Sequence, residues 1–452
     1  MTIKLKNLPF LASALCLVFM YSCKEESPSE KLDAELEDVL SMSSDGEGLG
    51  FYTLPESNDY STIPQDPRNP ITAEKVELGK FLFHETALAM SPKIQGGQST
   101  YSCASCHFAG AGFQAGRFQG IGEGGMGFGF NGEGRMPNPD YPLDSLDVQP
   151  LRSPTALNTA YQELMLWNGQ FGATGMNKGT ESEWTEGTPK FTNNLGYEGL
   201  ETQAIAGLKV HRMNVSQEIV SAMASYKNLC DVAFADTPEE TRYTIEHAGL
   251  AIAAYERTLL ANKAPFQQWL KGNKDAMTEK EKAGAILFFD KAKCNSCHTG
   301  PALNTMAFEA IGMNDLNSIS ETTYGIGSED QSHLGRGSFT QKEEDNYKFK
   351  VPQLYNLKDS PFYGHGSSFR NIREVIAYKN KAEAENEQVP ASQLSEHFKP
   401  LELSDSEIDD ITAFIENALR DPNLNRYVPN SVASGMCFPN NDEISRGDLG
   451  CN

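Results

Sequence analysis

Most of this chain reads in helical periods. Apolar positions recur at three- and four-residue intervals from Val215 to Leu229, Thr244 to Leu260, Ile372 to Glu385 and Ser404 to Leu419, each long enough for a packed amphipathic helix. Two other segments, Ile71 to Phe83 and Met277 to Phe289, share one layout. In each a Thr opens a charged helical turn, and a glycine precedes a short apolar stretch. Strand-like alternation is scarce. The pattern predicts a mainly α protein in which one helical unit occurs twice, the mark of internal duplication.

The two ends follow other rules. Leu8 to Met20 is an apolar run of 13 residues broken only by Pro9 and Ser13, behind Lys4 and Lys6. That is short of the roughly 20 residues needed to span a bilayer, so residues 1–22 are expected to be an export signal that is removed. The segment resembles a bacterial lipoprotein signal, which makes Cys23 the lipidated first residue and the anchor to the outer membrane, on its periplasmic side or at the cell surface. Residues 23–69 are acidic, rich in Ser and Gly and weakly periodic, and predict a tether with one short helix near Leu32 to Leu40. In the tail, 429–452, Cys437 and Cys451 bracket a short loop and are expected to pair. Closing such a loop contributes about 3 kcal/mol.

Charge narrows the partners. With 61 Asp+Glu against 38 Lys+Arg the net charge is −23, which removes the basic footprint that a generic nucleic-acid binder needs. A length of 452 residues suits two domains, here 70–270 and 271–428. Nine cysteines are too few for a disulfide scaffold, so their positions matter more than their number.

Cys103-Ala104-Ser105-Cys106-His107 and Cys294-Asn295-Ser296-Cys297-His298 lie 191 residues apart. Two thiols three residues apart can form thioethers to one porphyrin, and the adjacent histidine then serves as its proximal iron ligand. A zinc site could use the same residues with one more ligand, and a redox dithiol would not need the histidine. Two copies in an exported chain favour two covalently bound haem c groups. Each helix before a motif is then the first part of a haem-binding unit wrapped by long loops, as in a mono-haem cytochrome c.

With these motifs, Gly79 to Phe83, Arg152 to Asn158, Leu166 to Gln170, Ala251 to Leu259, Phe266 to Leu270 and Phe349 to Leu357 together resemble the bacterial di-haem cytochrome c peroxidase family and its relative MauG. The resemblance implies that peroxide reacts at the first haem and that the second relays electrons from a small donor such as a cytochrome c or cupredoxin. It also implies an electron bridge at Trp167, which on its own reads equally as a core aromatic. Gln203 matches the family's distal glutamine. Where relatives carry a glutamate this chain has Arg212, beside His211: either an acid/base and anion-steadying pair or an exposed loop pair.

Three more positions depart from the family. No histidine lies between Phe108 and Val210, so the loop Ile121 to Gly129 cannot supply the histidine that closes the first site in classical members, and only Met126 there could ligate. At the second haem the sixth ligand falls to Lys379 or Tyr378, or to Met313 or Met306 from elsewhere. The positions matching the calcium site are Arg152, Asp359 and Pro361. Either an Arg152–Asp359 salt bridge replaces the metal, or the loop shifts and keeps it. His365 reads as a propionate partner or as packing. Three functions remain: a di-haem peroxidase or MauG-like oxidase, a non-enzymatic di-haem carrier, and an electron-transfer lipoprotein of a larger membrane complex. A homodimer is compatible with each.

Overall fold

A computed structural model describes residues 27–327 and 330–451. The expected export signal and Cys23 lie outside them. Thirteen helices are described, joined by long loops and short 3-10 turns: α1 Pro28–Ser43, α2 Ala73–His84, α3 Gly199–Val210, α4 Gln217–Ala222, α5 Ala224–Ala233, α6 Glu239–Arg242, α7 Ile245–Arg257, α8 Pro265–Leu270, α9 Glu279–Phe289, α10 Arg336–Thr340, α11 Ile372–Lys381, α12 Asp405–Ala413 and α13 Glu443–Leu449. The described strands make two antiparallel ribbons, β1 Gly125–Met126 with β2 Met136–Pro137 and β3 Phe308–Glu309 with β4 Phe349–Lys350. No helix among the described residues is long and apolar enough to cross a membrane.

The repeated unit is visible in how its helices start and cross. Thr72 caps α2 by accepting from Lys75 N, and Thr278 caps α9 by accepting from Glu281 N. The glycine in each is a contact point. A Cβ on Gly79 would stand 1.9 Å from Ala251 O of α7, and one on Gly284 would stand 1.9 Å from Asp410 O of α12. Each motif helix therefore crosses its partner at backbone distance, which only glycine permits. Beneath these crossings one core runs through both halves, with Phe83, Tyr255, Phe266, Phe288, Phe289 and Phe414 nearly or fully buried.

Two sequence expectations need correction. The predicted tether is folded from Ser27 onward. Ser27 and Glu30 form a capping box for α1, and Leu36, Leu40, Tyr52 and Leu54 are fully buried. Each such side chain contributes about 1.5–3 kcal/mol when buried. Asp33 accepts from Trp269 Nε1 at 2.7 Å and pairs with Lys282, so α1 is fixed to α8 and α9. Its acidic residues suggested solvation; the spaced leucines were the stronger signal. The expected helix from Val215 to Leu229 is broken at Met223 into α4 and α5. At the other predicted helix over 404–419, α12 passes into a π-helical turn, Phe414–Ala418.

Candidate haem sites

Each C-x-x-C segment forms one 3-10 turn, Cys103–Ser105 and Cys294–Ser296. The histidine that follows is oriented by backbone carbonyls. His107 Nδ1 lies 3.3 Å from Phe113 O, and His298 Nδ1 lies 3.2 Å from Leu303 O and 3.1 Å from Pro352 O. With Nδ1 as donor, Nε2 keeps its lone pair for a metal. Burial pushes both imidazoles down to about 4, which keeps them neutral. Cys103, Cys106, Cys294 and Cys297 are free thiols, the first two pushed up by burial to about 12. Beside them Gln114 Nε2 and Arg117 Nε are buried donors without an acceptor among the described residues. Such orphans call for an acceptor, and the propionates of a haem would supply it. The residues at both motifs fit haem c.

The first site is surrounded by charge. A Cβ on Gly120 would stand 2.8 Å from Cys106 Sγ, so the glycine-rich loop starts against the attachment turn. On that loop Glu123 is fully buried. Its carboxylate accepts from Arg212 Nη1, Tyr141 OH and, at 3.2 Å, Ile94 N. Arg212 sits just beyond α3 with φ 56° and also donates to Ser145 O at 2.9 Å. Next to it His211 Nδ1 is 2.8 Å from Asp147 Oδ2. Burial alone would lower the proton affinity of His211, but the Asp147 carboxylate outweighs it, and the imidazole titrates above its ordinary value. Backbone bonds tie the pairs together: Asp147 N donates to Glu123 O at 3.0 Å, and Gly122 N to Asp147 O at 2.8 Å. Gln203, half-buried on α3, makes no side-chain hydrogen bond among the described residues, and Met126 is held in the β1–β2 ribbon opposite Met136.

The second site is a cavity lined by Cys294, Cys297, His298, Met313 and Lys379 that extends to Trp167. Lys379 makes no hydrogen bond or ion pair among the described residues; it lines the same cavity as His298, and its charge lowers the proton affinity of that imidazole. Tyr378, one residue earlier and so about 100° around the helix, donates its hydroxyl to Ile311 O and packs between Phe369 and Phe398. Met306 does not line the cavity. Trp167 donates from Nε1 to Arg152 O at 2.8 Å and meets His365 edge-to-face at 6.4 Å. His365 itself is bound to Asp315 Oδ1 at 3.0 Å and stacked on Phe349.

The expected Arg152–Asp359 salt bridge is not formed. Arg152 is 2% exposed and donates to Gln114 Oε1 at 3.0 Å, Ser360 Oγ at 2.7 Å and Arg117 O at 3.1 Å. Asp359 turns to Arg420 Nε at 2.7 Å and to Asn356 Nδ2 at 2.8 Å. Neutral acceptors satisfy the buried guanidinium, and burial pushes it down to about 9. The carboxylate finds a cation nearer solvent. Arg152 does bridge the two halves, through Ser360. Cys437 and Cys451 are joined by a disulfide.

Sequence reading overlooked Glu123, Tyr141 and Asp147. The available signal was a single acid inside the nine-residue glycine-rich stretch from Ile121 to Gly129. A carboxylate in such a flexible run earns its place only through tertiary partners.

A helical scaffold that repeats one motif unit, with a neutral histidine and free thiols at each copy, defines a di-haem c-type cytochrome. Residues 73–275 match the family model of di-haem cytochrome c peroxidase, and the two attachment motifs imply two haem c groups as cofactors. Relatives extend the likeness over about four fifths of its length. Methylamine utilization protein MauG from Methylorubrum extorquens is 28% identical over 378 residues, 82% of this chain and 84% of that protein. Cytochrome-c peroxidase IdrP1 from Denitromonas iodatirespirans is 28% identical, covering 81% of this chain and 87% of its own. Cytochrome c peroxidase Ccp from Escherichia coli strain K12 is 26% identical, covering 81% and 62%. Names of this kind place the chain among oxidoreductases. The fold is shared with a solved MauG-like protein associated with microbial copper homeostasis, with a TM-score of 0.55, 21% identity, and coverage of 82% of this chain and 95% of that one.

Proposed function

We propose that the chain is an extracytoplasmic di-haem peroxidase. It reduces hydrogen peroxide or a related peroxide with electrons from a small cytochrome c or cupredoxin. Residues 70–270 form the peroxidatic half and 271–428 the electron-transfer half, and Cys23 carries the lipid anchor to the outer membrane. The observation that carries this reading is the asymmetry of the two sites. Each site has a His–Asp pair, His211–Asp147 at the first and His365–Asp315 at the second, but the first adds the buried Glu123–Arg212 pair, whereas the second adds an amine, Lys379, with no partner among the described residues.

Held by Cys103, Cys106 and His107 at one site and by Cys294, Cys297 and His298 at the other, haem supplies the redox-active iron. The chain supplies the rest. Phe113 O and Leu303 O fix the tautomer of each proximal histidine. Glu123, buried and bound to Arg212 and Tyr141, holds Arg212 in place, and the guanidinium, which is 17% exposed, is the group of the pair that can meet a polar substrate. With Asp147 on Nδ1, His211 can take up or release a proton at Nε2. Gln203 offers an uncommitted amide. Lys379 in its neutral form can cap the second iron, and Trp167 lines the path from that cavity towards the first half.

The test is peroxide consumption by the purified holoprotein with a reduced cytochrome c or cupredoxin as donor. Sustained turnover is expected. Absence of turnover, with electrons still exchanged with the donor, leaves a carrier. A second reading, a MauG-like oxidase of another substrate, draws support from the lack of any histidine between Phe108 and Val210. It predicts peroxide reactivity in the fully oxidised protein without prior reduction.

A further inference from the structure

The tail beyond Tyr427 is folded onto the first site, and its contacts converge on the two segments that build it. On the attachment side, Ser102 Oγ donates to Pro439 O at 2.8 Å, and Asn441 N donates to Thr100 O at 3.1 Å. Thr86 Oγ1 donates to Cys437 O at 3.0 Å. On the glycine-rich loop, Asp448 Oδ2 accepts from Phe128 N at 2.7 Å and from Gly129 N at 2.9 Å, and Asp442 Oδ1 accepts from Gly127 N at 3.0 Å. Asp442 is also the N-cap of α13.

Between these two sets lies Arg135, 2% exposed. It donates from Nε to Ile121 O at 2.6 Å and from Nη2 to Gly122 O at 2.7 Å, and it pairs with Asp442 Oδ2 at 3.3 Å. The Asn440 side chain, turned so that its oxygen faces the guanidinium, accepts from Nη1 and Nη2 at 2.8 and 3.1 Å. One buried cation thus joins the tail to the loop at the residues just before Glu123. A loop with five glycines among nine residues is intrinsically permissive, so its conformation has to be imposed from outside. The disulfide Cys437–Cys451 closes the segment that imposes it.

We propose that this disulfide-closed tail is a clamp for the first haem site. Asp442 and Asp448 are positioning residues that set the glycine-rich loop, and with it Glu123, and have no counterpart duty at the second site. The clamp does not depend on which substrate is reduced.

The test uses the holoprotein with Asp448→Asn and Cys451→Ser, read by amide hydrogen exchange and by the resting ferric spectrum. Asp448→Asn removes one carboxylate at the protein surface and keeps the disulfide, so it reports even if Cys451→Ser fails to fold. Amides of Gly125 to Gly129 are expected to exchange about tenfold faster or more, with a changed signature of the first haem and an unchanged second one. Native exchange and native spectra in Asp448→Asn would overturn the proposal. So would equal changes at both haems, which would make the tail a general stabiliser. Loss of turnover with loop exchange unmoved would count against the clamp while leaving the peroxidase reading intact.

Discussion

Beside the first attachment turn the chain gathers Glu123, Asp147, His211 and Arg212, two ion pairs of which one holds a guanidinium; the cavity beside His298 has one His–Asp pair, His365–Asp315, and an amine, Lys379, with no ion pair among the described residues. The attachment turns, the carbonyls on Nδ1 and the glycine crossings of α2 and α9 are nearly the same in both halves. Duplication therefore accounts for how haem is held, and the inserted loops account for what surrounds it. A buried ion pair such as Glu123–Arg212 is an expensive way to gain stability, because desolvating both charges offsets most of their attraction. A buried guanidinium–carboxylate pair beside the first attachment turn is therefore better suited to a role in chemistry than to one in stability.

The largest effect should come from the proximal ligands. His107→Ala is expected to reduce peroxide turnover to background while the spectrum of the second haem persists. His298→Ala should do the converse to the spectrum and stop electron supply from the donor. If both variants altered both spectra alike, the two sites would not be separable.

Next comes the buried pair. Arg212→Met strands Glu123 in the interior and is expected to cost about 3–5 kcal/mol in denaturant unfolding, with turnover down about 100-fold. The double variant Glu123→Gln/Arg212→Met should recover most of that stability and none of the turnover. Recovery of both would reduce the pair to packing.

At the second site Lys379→Ala should change the low-spin signature of one haem and leave the other alone. Tyr378→Phe should leave both spectra unchanged and cost about 1 kcal/mol, the lost hydrogen bond to Ile311 O. An altered spectrum in Tyr378→Phe would exchange the roles of these neighbours.

The smallest lever is His211. Its folded pKa stands above the ordinary 6.5, so the stability from its pair with Asp147 is complete below about 6.5 and is lost as pH rises through the folded value. The His211 side chain is 38% exposed, so solvent screening keeps the effect under about 1 kcal/mol. Unfolding midpoints measured just above neutrality should show this slope in the native protein and not in Asp147→Asn.

What could be read in advance follows from the range of the interactions. The motif helices, their Thr caps and the attachment residues are encoded within about a dozen positions, so residues 71–107 and 277–298 were legible as a repeat. Tyr378 and Lys379 could be separated by helix geometry in principle, but only the position of Ile311 O shows which of them is occupied. Arg212 looked like a loss of the family's acid because Glu123, 89 residues earlier, cannot be paired with it by any local pattern. Arg152 and Asp359 failed for the same reason: each had a nearer partner, Ser360 and Arg420, that spacing does not reveal. The segment from Pro28 to Asn69 has the charge of a tether, but the burial of Leu36, Leu40, Tyr52 and Leu54 decides that it folds.

The central claim is that the two irons have unlike surroundings, one side left reachable and the other closed by the protein. Electron paramagnetic resonance of the fully oxidised holoprotein tests it most directly. The account predicts one high-spin ferric signal that disappears in His107→Ala and one low-spin signal that changes in Lys379→Ala. Two low-spin signals in the resting protein, neither altered by peroxide, would contradict it.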